Sequence, residues 1–351
     1  MTIIESLKIS PDENVLTALK RMDKIKRKLL IVASENKFIG LLSIGDIQRA
    51  VINNHSFTDA ISSIMRNDYI VSGPDESIEE VKQRMLQLRT EFMPVVDSFN
   101  NLVHVHFWEE FFGINENKPI FKFKLPVIVM AGGFGTRLKP LTNVLPKPLI
   151  PINEKTLIEE IFERFNNHGC DAFYISVNYK AELIEYYLTN QNMPYELHFF
   201  REEIPMGTAG SLSLLKDVVK ETFFVTNCDI LIEQDYSEVL KYHRDNKNEL
   251  TVIATLKHIP IEYGTIETGE DGLLMDLKEK PEITFKVNTG MYILEPHLLK
   301  EIPENRIFHI TELIEAIKDR GGRVGVFPIS EKSWIDIGNW EEYFRNYNYV
   351  K

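Results

Sequence analysis

The chain has 351 residues, 44% of them hydrophobic and 26% charged, which is the composition of an ordinary globular protein with material for two domains. A formal net charge of −12 argues against nucleic acid or an anionic membrane as a partner. Two cysteines are too few for a disulfide framework and the first residues carry no signal-peptide pattern, so we expect a cytoplasmic protein.

The first 112 residues contain an internal repeat. The Pro-Asp-Glu triplet at residues 11–13 recurs 63 positions later at residues 74–76. Helix and strand positions match at the same offset, which indicates duplication of one supersecondary unit. Each copy predicts an amphipathic helix, a strand (residues 29–32 and 93–96), a second strand and a short helix.

The two copies together resemble a tandem pair of cystathionine-β-synthase (CBS) domains. The resemblance implies an adenine-nucleotide effector, regulation of an attached domain and assembly into a homo-oligomer. In the first copy Ser43 and Asp46 keep the family's hydroxyl-x-x-acid spacing, which would place Asp46 against a ribose. The same offset puts His106 and Glu109 at these positions in the second copy, so we predict at most one effector site. A purely structural pair used for dimerisation is the alternative.

A metal site in this region receives little support from the sequence. His104 and His106 lie two positions apart, on one face of a predicted strand. The sequence shows no matching cysteine or aspartate beside them, so we do not predict a metal there.

A short polar segment, residues 113–124, separates the repeat from the rest of the chain. We place the domain boundary in this linker. The predicted organisation is a CBS pair at residues 1–112 and a second domain at residues 125–351.

The second domain begins with an apolar run, residues 127–131, that ends in a glycine-rich loop. This pattern predicts a buried strand followed by a turn. Three glycines among residues 132–135 let the backbone approach a ligand and direct N–H groups at it. Arg137 and Lys147 add two positive charges, and the combination suits the triphosphate of a nucleotide. The loop lacks the Gly-Lys-Ser/Thr ending of a Walker loop and the distant acid of a dinucleotide fingerprint.

The loop and the Pro-Lys-Pro triplet at residues 146–148 are together similar to the signature of the sugar-1-phosphate nucleotidylyltransferases, or nucleotide-sugar pyrophosphorylases. Strand-like runs alternate with helical patterns from residue 125 onward. We therefore expect an α/β, Rossmann-like fold, a mixed but mostly parallel sheet with helices on both faces, preceded by the CBS pair. The resemblance covers residues 125–345 and implies that the nucleotide is bound by Ala131, Gly132, Gly133, Gly135 and Thr136.

Residues 201–210 resemble the family's loop that holds the nucleobase, with Pro205, Gly207 and Thr208 against the base. Glu202 stands where relatives that use UTP or dTTP usually have glutamine. A carboxylate only accepts hydrogen bonds, and guanine offers two adjacent donors, so this position favours GTP. The alternative is that Glu202 points to solvent and the backbone alone reads the base.

Two aspartates fall in separate segments that match the family. Asp229 follows a buried strand, where ligands of open α/β sheets bind, and Asp336 lies in the Trp-x-Asp-x-Gly segment at residues 334–338. The resemblance implies that both hold Mg²⁺. The neighbouring Cys228 replaces the family's usual glycine, and we expect it to pack rather than to act as a nucleophile.

The remaining matched segments face the sugar in the family. Lys280 would contact the sugar phosphate, and the implied sugar-binding residues are Tyr263, Gly264, Glu279 and Asn288. The implied reaction is attack of a sugar 1-phosphate on the α-phosphorus of a nucleoside triphosphate, with release of pyrophosphate. Both reactants are anions, so Arg137, Lys147 and Lys280 would supply the balancing charge.

The sugar is left open. A CBS pair ahead of a guanylyltransferase-like domain resembles the hexosamine-1-phosphate guanylyltransferases of nonulosonic (legionaminic-type) acid pathways. Mannose 1-phosphate is the second candidate, and glucose 1-phosphate with UTP or dTTP is the third. A non-enzymatic nucleotide sensor is the alternative of another class.

Overall fold

The computed structural model describes residues 3–66, 68–88, 90–112, 119–152 and 154–346. Two units emerge from the pattern of contacts. The first unit comprises Met1–Asn117, Leu256–Phe285 and Ser330–Lys332, and the second comprises Lys118–Thr255, Lys286–Ile329 and Ser333–Lys351. No helix in the described part combines the length and the apolarity that a membrane crossing requires.

Helices and strands alternate along much of the chain. The helices are α1 (Ile3–Leu7), α2 (Val15–Ile25), α3 (Ile44–Ile52), α4 (Ile78–Leu88), α5 (Trp108–Phe112), α6 (Leu157–Asn167), α7 (Ala181–Asn190), α8 (Tyr236–Asp245), α9 (Ile310–Asp319) and α10 (Trp340–Asn346). The first nine strands are β1 (Lys8–Ile9), β2 (Leu29–Ser34), β3 (Lys37–Ser43), β4 (Phe92–Val96), β5 (Leu102–Phe107), β6 (Val127–Met130), β7 (Pro151–Ile152), β8 (Lys155–Thr156) and β9 (Ala172–Val177). The other nine are β10 (Glu196–Arg201), β11 (Phe223–Asn227), β12 (Ile230–Ile232), β13 (Leu250–Pro260), β14 (Thr265–Thr268), β15 (Leu274–Lys278), β16 (Glu282–Leu294), β17 (Val324–Ser330) and β18 (Trp334–Asp336).

The first unit contains the predicted duplication. In the first copy β1 pairs with β2 in parallel and β2 pairs with β3 antiparallel, and in the second copy β4 pairs with β5 antiparallel. The apolar faces of α2 and α3 pack on the first sheet, while β4 and β5 share a core cluster with α1 and β2. The repeated pattern of apolar residues therefore accounts for both copies.

The structure corrects the register of the repeat in its second half. Val32 of the first copy and Val95 of the second are equivalent strand residues, 63 positions apart. Their partners across the hairpin are Gly40 and His104, which are 64 positions apart. One extra residue in the second hairpin causes the shift. The counterpart of Asp46 is consequently Glu110 and not Glu109, and the counterpart of Ser43 is Phe107 and not His106.

The second unit is organised by a seven-stranded sheet in the order β10-β9-β6-β11-β16-β13-β17. The first four strands are parallel to one another, and β16 runs antiparallel to β11. Strands β13 and β16 belong to this unit only at residues 250–255 and 286–294, since their other residues belong to the first unit. The sheet is mixed and mostly parallel, as predicted.

Alternate residues of the central strands enter two different cores, which is what a sheet covered on both faces requires. Val127 and Val129 of β6 pack in one cluster with α6, α7 and α8, whereas Ile128 packs in another with α9. Phe224 and Phe223 of β11 divide in the same way. The predicted helices on both faces are therefore present, and β6 and β11 are held rigidly at the centre.

Candidate active site

The two predicted metal ligands are brought together by strand pairing. Strand β12 pairs antiparallel with β18 so that Ile230 lies opposite Asp336, and the Ile337 N–H donates to the Asp229 carbonyl oxygen over 2.8 Å. Burial raises the pKa of the Asp336 carboxyl, and the nearby negative charge of Asp229 raises it further. The Gly338 N–H donates to Asp336 Oδ1 over 2.7 Å. The edge thus holds two adjacent carboxylates.

The two predicted cations lie at the same edge. The buried Lys147 ammonium contacts Asp229 Oδ2 at 2.5 Å, and Arg137 Nη2 lies 3.9 Å from the same oxygen. A β-carbon on Gly338 would lie 2.8 Å from Asp336 Oδ1 and 3.1 Å from Arg137 Nη2, so the guanidinium packs over this glycine. Arg137, Lys147, Asp229 and Asp336 form one cluster, which we call the charged cluster.

The glycine-rich loop leaves β6 beside the charged cluster. Gly135 has φ 62°, in the left-handed region that favours glycine, and a β-carbon there would meet Thr142 at 2.8 Å. Thr136 and Arg137 follow in a single turn of 3₁₀ helix (Thr136–Leu138). In the described part of the chain, no atom beyond the two adjoining residues lies within 4 Å of a β-carbon added at Gly133, so this part of the backbone is open to a ligand.

Glu202 does not point to solvent, because only 8% of the residue is exposed. Its Oε1 accepts from the Ser176 hydroxyl and its Oε2 accepts from the Met206 N–H over 3.1 Å. A β-carbon on Gly132 would lie 3.0 Å from Oε1, so the carboxylate faces the glycine-rich loop. The alternative in which Glu202 is solvated is therefore wrong.

The loop that follows Glu202 is fixed by a distant segment of the same unit. Gly207 has φ 80°, and a β-carbon there would lie 2.7 Å from the Phe308 carbonyl oxygen. The Thr208 hydroxyl accepts from the Ile310 N–H over 3.0 Å. Gly207 and Thr208 thus hold the loop that carries Pro205, in addition to any contact they make with a base.

Asn288 lies on β16 and its side chain is engaged locally. Its Nδ2 donates to the Tyr292 hydroxyl over 2.7 Å, and its Oδ1 accepts from the Gly290 N–H over 3.0 Å. Gly290 has φ 90°, and an added β-carbon would come within 2.5 Å of Asn227 Nδ2. This contact connects Asn288 to the carboxyl end of β11.

Four predicted substrate residues belong to the first unit. Tyr263 is 76% exposed, and the Glu279 carboxylate lies 3.1 Å from an added β-carbon on Gly264, so these two segments meet. Lys280 has φ 45° in the turn that leads into β16. Their assignment to the substrate stays a prediction.

The predicted effector residues Ser43 and Asp46 form a helix cap in the first unit. Asp46 Oδ2 accepts from the Ser43 N–H over 2.7 Å and from its hydroxyl over 2.6 Å. Asp46 Oδ1 forms ion pairs with Arg49 and with Arg66, the latter at 2.9 Å. The carboxylate is occupied on both oxygens, so a ribose would have to displace one of these partners.

Comparison with protein families finds matches in two parts of the chain. Residues 126–351 match the family described as nucleotidyl transferase, and residues 4–53 and 61–105 match CBS domains. The first match covers well over half of the chain. The chain belongs to the nucleotidyl transferase family.

Several curated relatives and solved structures are similar to this chain. The mannose-1-phosphate guanylyltransferase catalytic subunit beta of Drosophila pseudoobscura pseudoobscura is 35% identical over 223 residues, which cover 62% of this chain and 60% of the relative. A UTP–glucose-1-phosphate uridylyltransferase of Synechocystis sp. is 29% identical over 244 residues, covering 63% and 62%. The crystal structure of HddC from Yersinia pseudotuberculosis has a TM-score of 0.51 and 25% identity, and the match covers 65% of this chain and 100% of HddC. The chain spans about three-fifths of the length of these curated relatives.

The donor set of the charged cluster fits a divalent metal of the hard type. Asp229 immediately precedes β12 and Asp336 ends the neighbouring β18, so both offer carboxylate oxygens, and Mg²⁺ prefers oxygen ligands. Burial is the first cause of the raised pKa of the Asp336 carboxyl and the negative charge of Asp229 is the second, and a bound cation would offset both. The residues at this edge therefore fit the ion that the family implies.

The structure adds residues that the sequence analysis did not assign. Ser176 and Asn178 hold Glu202 through its carboxylate and its carbonyl oxygen, and nothing in the local sequence marks them. Gly338 supports Arg137 and was identifiable only as the last residue of Trp-x-Asp-x-Gly. Cys228 packs as expected, since burial raises the pKa of its thiol to about 12 and keeps it protonated at neutral pH.

Proposed function

We propose that the protein transfers GMP from GTP to a sugar 1-phosphate and releases pyrophosphate. The observation that carries the proposal is the pairing of β12 with β18, which gathers Asp229 and Asp336 beside Lys147 and Arg137. Similarity to mannose-1-phosphate guanylyltransferases supports the reaction class and the nucleotide. We expect the enzyme to work in the cytoplasm.

The proposed step is an in-line displacement. An oxygen of the sugar phosphate forms a bond with the α-phosphorus of GTP, and the bond from that phosphorus to the bridging oxygen breaks. Pyrophosphate leaves with the electron pair. The attacking phosphate is already ionised at neutral pH, so the protein needs to hold and neutralise its substrates rather than to remove a proton.

The cations of the chain have separate roles in this proposal. Arg137, whose side chain is 64% exposed, would neutralise the leaving pyrophosphate. The buried Lys147 would move from Asp229 to the α-phosphate when GTP binds. Lys280 would hold the sugar phosphate, as the resemblance implies. Asp229 and Asp336 would hold Mg²⁺, which when bound supplies charge stabilisation to the phosphate oxygens.

The base is proposed to be guanine because of Glu202. Both carboxylate oxygens have a protein donor, yet each oxygen has a second lone pair for the two donors of guanine. The carboxylate faces Gly132 at the start of the nucleotide loop. For the sugar, a hexosamine 1-phosphate remains our first candidate and mannose 1-phosphate the second, and the relatives cited above do not test the first.

A pyrophosphate-release assay tests this function. The full chain is incubated with GTP, UTP, dTTP or ATP and with the 1-phosphates of glucosamine, N-acetylglucosamine, mannose and glucose, with and without Mg²⁺. We expect release only with a sugar 1-phosphate, fastest with GTP, and abolished by a chelator. Binding of a nucleotide sugar without release in any pairing would support the sensor alternative and overturn the proposal.

A regulatory function for the CBS pair is favoured by one further observation. The segment Leu256–Phe285, which carries Tyr263, Gly264, Glu279 and Lys280, lies in the same compact unit as the CBS pair. Leu256 is 1% exposed and packs in the core cluster of the first CBS copy, and the Ser330 hydroxyl donates to Asp23 of α2 over 2.5 Å. We propose that an adenine-nucleotide effector at the CBS pair acts on sugar binding through this segment, in a homo-oligomer.

The effector site would lie beside Arg66. A cavity of about 140 Å³ is lined by Arg66, Asp68, Tyr69, Thr90 and apolar side chains. It is small for a nucleotide and would have to widen. Melting temperatures with AMP, ADP and ATP test binding, and Tyr69→Ala is a better control than Asp46→Ala because Asp46 caps a helix. We expect the effector to change KM for the sugar 1-phosphate and to leave KM for GTP unchanged. No shift with any nucleotide would leave the pair with a structural role.

A further inference from the structure

The second CBS copy gathers three metal-ligand side chains far along the chain from the charged cluster. His104 and His106 lie on β5 and Glu110 on the following helix α5, with one ligand atom of each within 4.8 Å of the others. The two imidazole rings meet edge to face with centroids 4.8 Å apart. We propose that these three residues bind a transition metal of the Zn²⁺ class.

The first copy shows why a cation is expected here. Asp46 and Glu110 are counterparts, because each accepts from the main-chain N–H three residues earlier and caps the helix after the second strand. In the first copy two arginines, Arg49 and Arg66, form ion pairs with this carboxylate. In the described part of the chain no lysine or arginine lies within ion-pair distance of Glu110. The second copy keeps the carboxylate without its basic partners.

In the second copy two imidazoles, instead of two guanidinium groups, lie near the capping carboxylate. His104 pairs with Val95 as Gly40 pairs with Val32, so a histidine stands where the first copy has no side chain. By the same register His106 replaces the buried Leu42. Both substitutions put a ring nitrogen beside the capping carboxylate, and together they turn a cap paired with arginines into a set of metal ligands.

The donor atoms select the metal. Two imidazole nitrogens and one carboxylate oxygen are a Zn²⁺ set, with ligand distances of about 2.0–2.2 Å, whereas Mg²⁺ and Ca²⁺ prefer oxygen alone. Ligand atoms within 4.8 Å of one another can close around such an ion by side-chain rotation, since His104 and Glu110 are exposed. The bound ion would join β5 to α5 and leave a fourth position for water.

A second group of similar residues does not carry the same inference. Glu249, His297 and Glu301 also have ligand atoms within 4.8 Å of one another. Arg320 forms ion pairs with both glutamates, so a cation of the protein already occupies that position. This group therefore supplies a matched control, the same residue types with the charge already satisfied.

Isothermal titration calorimetry with Zn²⁺ tests the proposal on the full chain, from which bound metal has been removed with a chelator and to which excess Mg²⁺ is then added. All measurements use the Asp229→Asn variant as the parent protein, so that zinc bound at the charged cluster does not contribute. We expect one Zn²⁺ per chain, a rise in melting temperature with zinc, and tetrahedral absorption bands when Co²⁺ is used instead. His104→Asn and Glu110→Gln should each weaken zinc binding at least about tenfold. Loss of a residue that only supports a metal ligand already costs about this much, and these residues are proposed as ligands themselves. His297→Asn should leave it unchanged.

Two results would overturn the proposal: absence of stoichiometric zinc binding in the background protein, or unchanged affinity in both His104→Asn and Glu110→Gln. Melting curves without metal separate these results from misfolding, because His104 is exposed and its replacement should not alter the metal-free melting temperature. The outcome is independent of the proposed transferase reaction, which is measured with Mg²⁺ alone.

Discussion

Asp229 and Asp46 are both aspartates with basic neighbours, and the two units surround them differently. Asp46 is 3% exposed, accepts two hydrogen bonds from Ser43 and forms ion pairs with two arginines. Asp229 contacts Lys147 closely and Arg137 more distantly, but it also lies beside a second carboxylate, that of the half-buried Asp336. One carboxylate has its charge satisfied within its own unit, and the other shares its partners with a like charge.

The difference distinguishes a structural carboxylate from one that is available to a ligand. Two carboxylates with two cations leave no excess of positive charge at the charged cluster, so an incoming triphosphate needs a further cation there. At Asp46 the excess is positive, since Arg49 and Arg66 face one carboxylate. We therefore expect metal chemistry at the first position, and contact with an anionic group rather than with a ribose hydroxyl at the second.

The largest expected effect is on Asp229. Asp229→Asn should lower kcat by at least about two orders of magnitude, because it removes one preorganised group at the reacting phosphates. The fold should persist, since Ile337 bonds to the main-chain oxygen of residue 229. Pyrophosphate release is the measurement, and Asp217→Asn, at an exposed ion pair with Lys220, is the control. Activity within threefold of wild type would remove Asp229 from the reaction.

Glu202 combines features of Asp46 and Asp229, since its carboxylate accepts hydrogen bonds from the protein and also faces the glycine-rich loop. Glu202→Gln places an N–H₂ group where guanine needs an acceptor, so kcat/KM for GTP should fall by about 10- to 100-fold, the range of one hydrogen bond to a charged group. The value for UTP should change less. Rates with both nucleotides test this, with the exposed Glu203→Gln as the matched control. An equal loss for both nucleotides would mean that Glu202 only supports the loop.

The sequence predicted the fold class and identified the members of the charged cluster individually, but not the contacts that surround them. The glycine-rich loop, Lys147 and both aspartates were accessible because each stands in a short local pattern. The partners of Glu202 were not, since Ser176 lies on a different strand and pairing between distant strands has no local signal. The sequence analysis matched Asp46 with Glu109 instead of Glu110 for a similar reason. One extra residue in the second hairpin moves every later equivalent position by one, and only the strand pairing reveals it.

The membership of residues 256–285 in the first unit was equally inaccessible from the sequence. The family resemblance describes residues 125–345 as one continuous stretch, and the compact unit depends on contacts such as that of Leu256 with the CBS core. Long-range packing of this kind is decided by which apolar faces are complementary, and the periodicity of a single segment does not contain that information.

At Asp46 we expect an effect on stability and not on chemistry. Asp46→Asn removes an ion-paired helix cap, so the unfolding free energy should fall by about 1–2 kcal/mol. The values of KM and kcat should be unchanged in the absence of an effector, because Asp46 belongs to the charge-satisfied class. Denaturant unfolding and the pyrophosphate assay measure the two quantities. A loss of activity without a loss of stability would contradict the distinction drawn between Asp46 and Asp229.

The smallest effect is expected at a charge-satisfied group in the second unit. Hydrogen bonds from Arg320 lower the pKa of Glu249 to about 2, below its ordinary value of 4.5. Because the folded-state pKa is depressed, the stabilisation is present above the ordinary pKa and is lost as the pH falls from about 5 towards 2. Arg320 is 40% exposed, so Glu249→Gln should lower the unfolding free energy by only about 1 kcal/mol at neutral pH.

On acidification the Glu249→Gln variant should lose stability less steeply than the wild type. The control Asp245→Asn, at an exposed ion pair with Lys241, should follow the wild type. If stability fell equally steeply with pH in Glu249→Gln and in the wild type, Arg320 would not be holding this carboxylate. The group formed by Glu249, His297 and Glu301 would then become a candidate metal site.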